Sequence, residues 1–288
     1  MENKTFRQKF FSKKTVYFLL LVLFSLVFIL SAASLISYFT ESGSNKKSYD
    51  SLTELIATAP AKEDSDGNRE TVSDTPVENP ADLVEVKNSI TGKTEKVMRK
   101  YAEIYEKNSD MVGWLQIPGT KINYPVMQNA KVTDFYLSRN FFKEESRHGC
   151  LFAQEYSDPL APSDNITIYG HNMKDGSMFA GLMDYKKEDF YKSHKTIVFD
   201  TVHEEHTYEI VSVFVTTVSI GEGFHYYKFI NAADETEFDA FVKSCKDLSL
   251  YDTGVSAGYG DKLICLSTCE YNYEPVNGRL VVVAKQIS

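Results

Sequence analysis

Residues 15–40, TVYFLLLVLFSLVFILSAASLISYFT, run without a single charged side chain. At a helical rise of about 1.5 Å per residue, roughly 20 apolar residues cross the hydrocarbon core of a bilayer, so this run is long enough to span one. Its N-terminal flank carries Lys4, Arg7, Lys9, Lys13 and Lys14, which the positive-inside rule keeps in the cytoplasm. The expected layout is a cytoplasmic basic tail at 1–14, a single transmembrane anchor at 15–40, and an extracellular remainder. A cleaved signal peptide competes with this reading, because SAAS at 31–34 offers small residues. Signal peptides, however, carry apolar regions of about 7–15 residues, shorter than this one.

The tail holds five basic residues and one acidic, the anchor none, and the whole chain is net −9. The part outside the membrane is therefore net −13. An acidic exterior argues against nucleic-acid partners, whose phosphates attract basic patches. From 41 to about 93 the chain is rich in Ser, Thr, Asp, Glu and Asn, with Pro60, Pro76 and Pro80 and almost no aromatics. That composition buries little, so a stalk is expected at 41–93, with a possible local helix in SLTELIA, and a folded domain at 94–288.

Within the domain, Val97, Tyr101, Ile104 and Tyr105 recur at helical spacing and predict an amphipathic helix. Eight β-type runs follow: GWLQIP, INYPVM, GCLFAQ, NITIYG, KTIVFD, TYEIVSVFVTTV, DKLICLSTC and RLVVVAKQI, separated by Gly, Pro, Asn and Asp. Many short strands with few helices predict a mainly β protein, either a closed barrel or a sandwich. Two helical insertions are expected, SMFAGLMDY and NAADETEFDAFVKSCKDL. The second carries Phe238, Phe241, Val242 and Cys245 on one face, which makes Cys245 a core residue.

Four cysteines, Cys150, Cys245, Cys265 and Cys269, lie in the part expected outside the membrane. Cys265 and Cys269 share a strand and stand about 13 Å apart, too far to bridge each other or to grip one metal ion. The chemistry-bearing stretch is LICLSTCEYNYEPVNGRLVVV, 263–283. If its two apolar runs pair antiparallel, Cys269 and Arg279 become neighbours across the hairpin mouth. A guanidinium favours the thiolate, the nucleophilic form of cysteine, and can stabilise an oxyanion when that thiolate attacks a carbonyl. A proton carrier is still needed for the leaving amine. His171, just past the strand NITIY, supplies one if strands 164–169 and 262–269 run parallel and end on one rim. With ordinary values near 8.5 for the thiol and 6.5 for the imidazole, a minor thiolate–imidazolium fraction would do the work at neutral pH.

LSTC, IYGHNM and the arginine ten residues beyond the cysteine resemble the sortases, specifically class B. DFYLSRNF, IYGHNMKDGSMFAGLMDY, LSTCEY and GRLVVVAK carry the likeness over about 94–288, and the helix at 231–248 is similar to the extra helix of that class. The resemblance implies an eight-stranded sortase-type β-barrel and a cysteine transpeptidase on the outer face of a Gram-positive membrane. It implies Cys269 as nucleophile, His171 as general acid and base, and Arg279 as the oxyanion or substrate-positioning cation. More loosely it implies substrate contacts at Tyr169, Ser267, Thr268, Glu270 and Leu137. The implied partners are surface proteins bearing a sorting signal and an amine acceptor, either a cell-wall precursor or a pilin lysine. No cofactor is implied, nor the calcium site of class A. The family motif usually has threonine where this chain has Cys265, which is read as a packing substitute.

Three other readings compete. SRHGC at 146–150 resembles the SHGC signature of L,D-transpeptidases, which would make Cys150 the nucleophile, but Arg147 interrupts the Ser–His pair. A tethered, non-catalytic β-domain with a structural cysteine is the second, and a hydrolase using the same site is the third. The remaining histidines, His148, His194, His203, His206 and His225, are read as solvated, since i,i+3 histidines of HEEH point to opposite faces in a β context. Tyr226 and Tyr227 are candidates for a groove edge.

Overall fold

The structure is a computed structural model that describes residues 13–59 and 82–288. Residues 1–12 of the expected basic tail and 60–81 of the expected stalk lie outside the described residues. The chain divides into two units, Met1–Lys46 and Lys47–Ser288. Helix α1 (Lys13–Ala57) supplies the described part of the first unit. Over residues 16–30 its side chains are almost all apolar and are exposed on every face, Phe28 at 74% and Leu30 at 69% among them. A helix apolar all round is one that faces lipid or a large core. By length and composition it is able to cross a membrane, with mean hydropathy 2.8 over its most apolar stretch.

The second unit begins with the last turns of α1 and continues through a hairpin, β1 (Leu83–Lys87) and β2 (Thr94–Met98). Both elements lie wholly or partly within 41–93. Val97 thus belongs to a strand, where the helical spacing predicted a helix. Asn88 is the reason: its carboxamide oxygen accepts the backbone N–H of Ile90 and Thr91, and Gly92 turns at φ +70°, which reverses the chain. Val86 and Val97 then point to one buried face. Helix α2 (Arg99–Lys107) follows and buries Tyr101, Ile104 and Tyr105, as their spacing predicts.

All eight expected strands form and close a barrel. They are β3 (Met111–Gln116), β4 (Asn123–Met127), β5 (Leu151–Ala153), β6 (Asn165–Tyr169), β7 (Thr196–Thr201), β8 (Thr207–Thr217), β9 (Leu263–Cys269) and β10 (Gly278–Gln286). Their order around the barrel is β10-β8-β7-β3-β4-β5-β6-β9. Two neighbouring pairs are parallel, β4 with β5 and β6 with β9; the others run antiparallel. Closure leaves no free sheet edge.

The insertions cover this barrel. SMFAGLMDY gives a 3-10 segment, Ala180–Lys186, before the short α3 (Glu188–Ser193), and the second insertion gives α4 (Glu235–Asp247). Asp234 caps α4 by accepting the Glu237 N–H at 3.0 Å, and the helix buries the expected Phe238, Phe241, Val242 and Cys245. Strands β9 and β10 consequently have two buried faces. Ile264, Leu266, Leu280 and Val282 point into the main core. Cys265, Val281 and Val283 join Phe214, Tyr226 and Cys245 in a second core beneath α4. This explains why LICLSTC reads as a nearly continuous apolar run rather than an alternating one. By the same alternation Ser267 and Cys269 emerge on the α4 side of the sheet.

Candidate active site

The hairpin β9–β10 has the register the sequence predicts, with Arg279 opposite Cys269. Its mouth is closed by a hydrogen bond from the Glu270 N–H to the Gly278 carbonyl, 2.9 Å, and another from the Gly278 N–H to the Glu274 carbonyl, 3.1 Å. A Cβ at Gly278 would stand 2.2 Å from the Glu270 carbonyl oxygen, so only glycine fits there. Arg279 follows at once, and its Nη1 donates to the Val276 and Gly278 carbonyls at 3.1 and 2.9 Å. The loop thereby steadies the guanidinium without occupying all of its donors.

Histidine 171 arrives from the other neighbour of β9. Strands β6 and β9 are parallel with Tyr169 beside Ser267, so two residues further on His171 comes level with Cys269. The pairing continues past the strand ends. The Gly170 N–H donates to the Ser267 carbonyl at 3.1 Å, Thr268 Oγ1 to the Gly170 carbonyl at 2.8 Å, and Asn172 Nδ2 to the Cys269 carbonyl at 2.9 Å. His171 Nε2 lies 2.7 Å from the Leu137 carbonyl oxygen. A carbonyl only accepts, so the proton sits on Nε2 and the neutral ring keeps Nδ1 as its basic nitrogen.

These residues line one groove of about 410 Å³. It brings together Leu137, Tyr169, His171, Ser267, Thr268, Cys269 and Arg279, all expected from the sequence, and Tyr226 and Tyr227 join them. Asp134, Phe152 and Val218 complete the wall; each comes from a different loop or strand, and no local signal marks them. Tyr226 is buried and its hydroxyl meets Ser267 Oγ at 2.5 Å. Glu270 is the exception among the expected contacts. Its side chain is fully buried away from the groove and pairs with Lys186 Nζ at 3.0 Å.

Among the four free cysteines, Cys269 alone is half-buried, and the others are buried. Burial pushes the Cys150 thiol up to about 12 and raises those of Cys245 and Cys265 as well. Cys265 sits in the core under α4, in keeping with its reading as a packing residue. Cys150 precedes β5 and meets the Tyr49 hydroxyl at 3.2 Å, a poor setting for a nucleophile. His148, read as solvated, is instead wholly buried, with Nε2 2.8 Å from Asp175 Oδ2. Gly149 at φ +57° makes the turn that tucks it inside. His206 is half-buried, its Nδ1 accepting from Gln286 Nε2 at 3.0 Å. Among the described residues no group of three or more His, Cys, Asp or Glu is placed to hold a metal ion.

A closed eight-stranded barrel that carries a thiol, an imidazole and a guanidinium in one rim groove has the architecture of a sortase-type cysteine transpeptidase. The comparisons agree with that class: the family model "Sortase domain" matches residues 115–287. Sortase B of Listeria monocytogenes is 34% identical over 193 residues, 67% of this chain and 76% of the relative. Among solved structures, sortase B of Bacillus anthracis in complex with AAEK1 superposes with TM-score 0.65 at 29% identity, covering 87% of this chain and 99% of that one. A Staphylococcus aureus sortase B–substrate complex gives TM-score 0.61 at 32% identity over 67% and 86% of the two chains. The chain belongs to the sortase family, in its class B branch.

Proposed function

We propose that this sortase is anchored by α1 with its N-terminus in the cytoplasm, cleaves a C-terminal sorting motif of surface proteins at Cys269, and transfers the acyl group to an amine. The observation that carries the reading is the groove itself, in which the half-buried thiol shares one wall with His171 and Arg279. The Cys269 thiolate attacks the scissile carbonyl carbon, forming a C–S bond, while the guanidinium of Arg279 stabilises the oxyanion. Collapse breaks the C–N bond as the His171 imidazolium gives its proton to the leaving amine. An acceptor amine then attacks the thioester, neutral His171 takes its proton, and the thiolate leaves. Leu137, Tyr169, Ser267 and Thr268 are the proposed substrate contacts. The acceptor is a cell-wall precursor amine or a pilin lysine, and the charge flank at 4–14 sets the orientation.

The test is cleavage of a peptide library by the full chain in detergent, with and without an added amine. Motif-selective cleavage that Cys269→Ala, His171→Ala and Arg279→Ala each reduce at least about 100-fold is the expected result. Amine-dependent product identifies transfer; cleavage at the same rate to the free acid alone identifies a hydrolase. Cleavage that survives Cys269→Ala but not Cys150→Ala overturns the assignment.

A further inference from the structure

Glu270 follows the nucleophile directly, and its carboxylate is fully buried. Oε1 accepts from Lys186 Nζ at 3.0 Å and from Asn272 Nδ2 at 3.3 Å, and Oε2 accepts the Tyr273 N–H. These contacts shape the loop that leads to Gly278 and Arg279. Burial alone would raise this carboxyl; the Lys186 ammonium, the Tyr273 N–H and the Asn272 amide together hold it below the ordinary carboxylate range. The loop is therefore organised around an anion. An anion one residue from Cys269 also repels a thiolate.

Lys186 resolves the conflict. It ends the 3-10 segment Ala180–Lys186, which is tied to the histidine loop: the Phe179 N–H donates to the His171 carbonyl at 2.9 Å and the Leu182 N–H to the Phe179 carbonyl at 3.0 Å. We propose that Lys186 is a positioning residue for this site: its ammonium neutralises Glu270, so that the carboxylate holds the cysteine loop without opposing the thiolate, and it straps the segment after His171 to that loop. The inference rests on Cys269 being the nucleophile. The other charged or titratable groups around Cys269 are Arg279 on β10, His171 beyond β6, Tyr271 in the loop, and Asp134, Tyr169, Tyr226 and Tyr227 in the groove wall. Glu274 lies further along the loop and is held by Thr217 and Ser219. The ion pair of Glu270 is with Lys186 and not with Arg279, whose Nη1 donates to the Val276 and Gly278 carbonyls.

The experiment follows alkylation of the full chain by iodoacetamide between about pH 5 and 10, a range spanning ordinary thiol titration. The readout is the mass of the Cys269 peptide. In Lys186→Gln the midpoint should rise by about 1 unit, and neutral-pH alkylation should slow about threefold, a tenfold loss of thiolate being partly offset by its greater nucleophilicity. Lys186→Arg should restore the parent midpoint. Glu270→Gln should move it downward, and the double variant Lys186→Gln/Glu270→Gln should return close to the parent. A Lys186→Gln protein that melts earlier but titrates like the parent overturns the proposal, as do Lys186→Gln and Glu270→Gln midpoints that move in the same direction. If Lys186→Gln fails to fold, the sign of the Glu270→Gln shift decides alone. Full peptide cleavage by Cys269→Ala refutes the reading of the site instead, whereas an inactive Cys269→Ala with an unshifted Lys186→Gln profile refutes this proposal only.

Discussion

Replacing Gly278 with alanine tests whether the hairpin mouth is what presents Arg279 to Cys269. The new Cβ would lie 2.2 Å from the Glu270 carbonyl oxygen, 2.7 Å from the Glu274 carbonyl oxygen and 2.9 Å from the Glu274 nitrogen. Ordinary contact begins near 3.4 Å, so the Glu270 oxygen must retreat by about 1.2 Å. All three obstacles are backbone atoms, which cannot swing aside as a side-chain tip can. The two hydrogen bonds that close the mouth, Glu270 to Gly278 and Gly278 to Glu274, lie on the displaced segment. Overpacking costs about 1–3 kcal/mol, and each lost bond about 0.5–1.5 kcal/mol. The sum is about 2–6 kcal/mol of stability. Catalysis should suffer more, because a misplacement of about 1 Å in a positioned group lowers rate about 100-fold. The assay is kcat/KM on a motif-bearing peptide beside a urea unfolding curve. A Gly278→Ala enzyme that loses stability as expected yet keeps kcat/KM within about threefold of the parent would falsify the claim that this mouth positions the guanidinium.

Three further outcomes follow from the same geometry. Tyr226→Phe removes the 2.5 Å partner of the buried Ser267 hydroxyl, and should cost about 1–3 kcal/mol in urea unfolding; an unchanged midpoint would show that the hydroxyl finds another partner. Cys150→Ala should leave kcat/KM at the parent value and cost about 1–2 kcal/mol of packing, and a loss of activity at unchanged stability would reinstate the L,D-transpeptidase reading. Glu270 has a folded-state pKa below its unfolded one, so its contribution is present above the ordinary Glu value near 4.3 and is lost as pH falls below it. Glu270→Gln should flatten that acid limb of a melting-temperature profile, and an identical limb in parent and variant would contradict the assignment.

The barrel is legible because its eight strands are apolar runs punctuated mostly by Gly, Pro, Asn or Asp, and all eight of those runs form strands. The hairpin β1–β2 escaped for a physical reason. LVEVK and TEKVM bury only Val86, Val97 and Met98 fully, too few for a period to declare itself. Val97, Tyr101, Ile104 and Tyr105 also satisfy a helical spacing across a strand–helix junction, so the local pattern favoured one element where there are two. The burial of His148 depends on Asp175, a partner 27 residues away that its local sequence does not reveal.

Within the site, legibility follows the range of the interaction. Cys269 and Arg279 are joined by one hairpin, so strand pairing alone places them together. His171 needs β6 to lie parallel to β9, a relation that barrel closure imposes and that no short window contains. Glu270 shows the opposite failure, in which nearness along the chain misleads. Glu270 follows the last residue of β9 and its side chain is buried away from the groove, so its charge must be met from behind. The side chain that meets it, Lys186, comes from the insertion after His171. The polypeptide that delivers the imidazole therefore also delivers the counter-charge to Glu270, the residue after the thiol, and a change in that insertion should reach both the histidine and the cysteine loop at once.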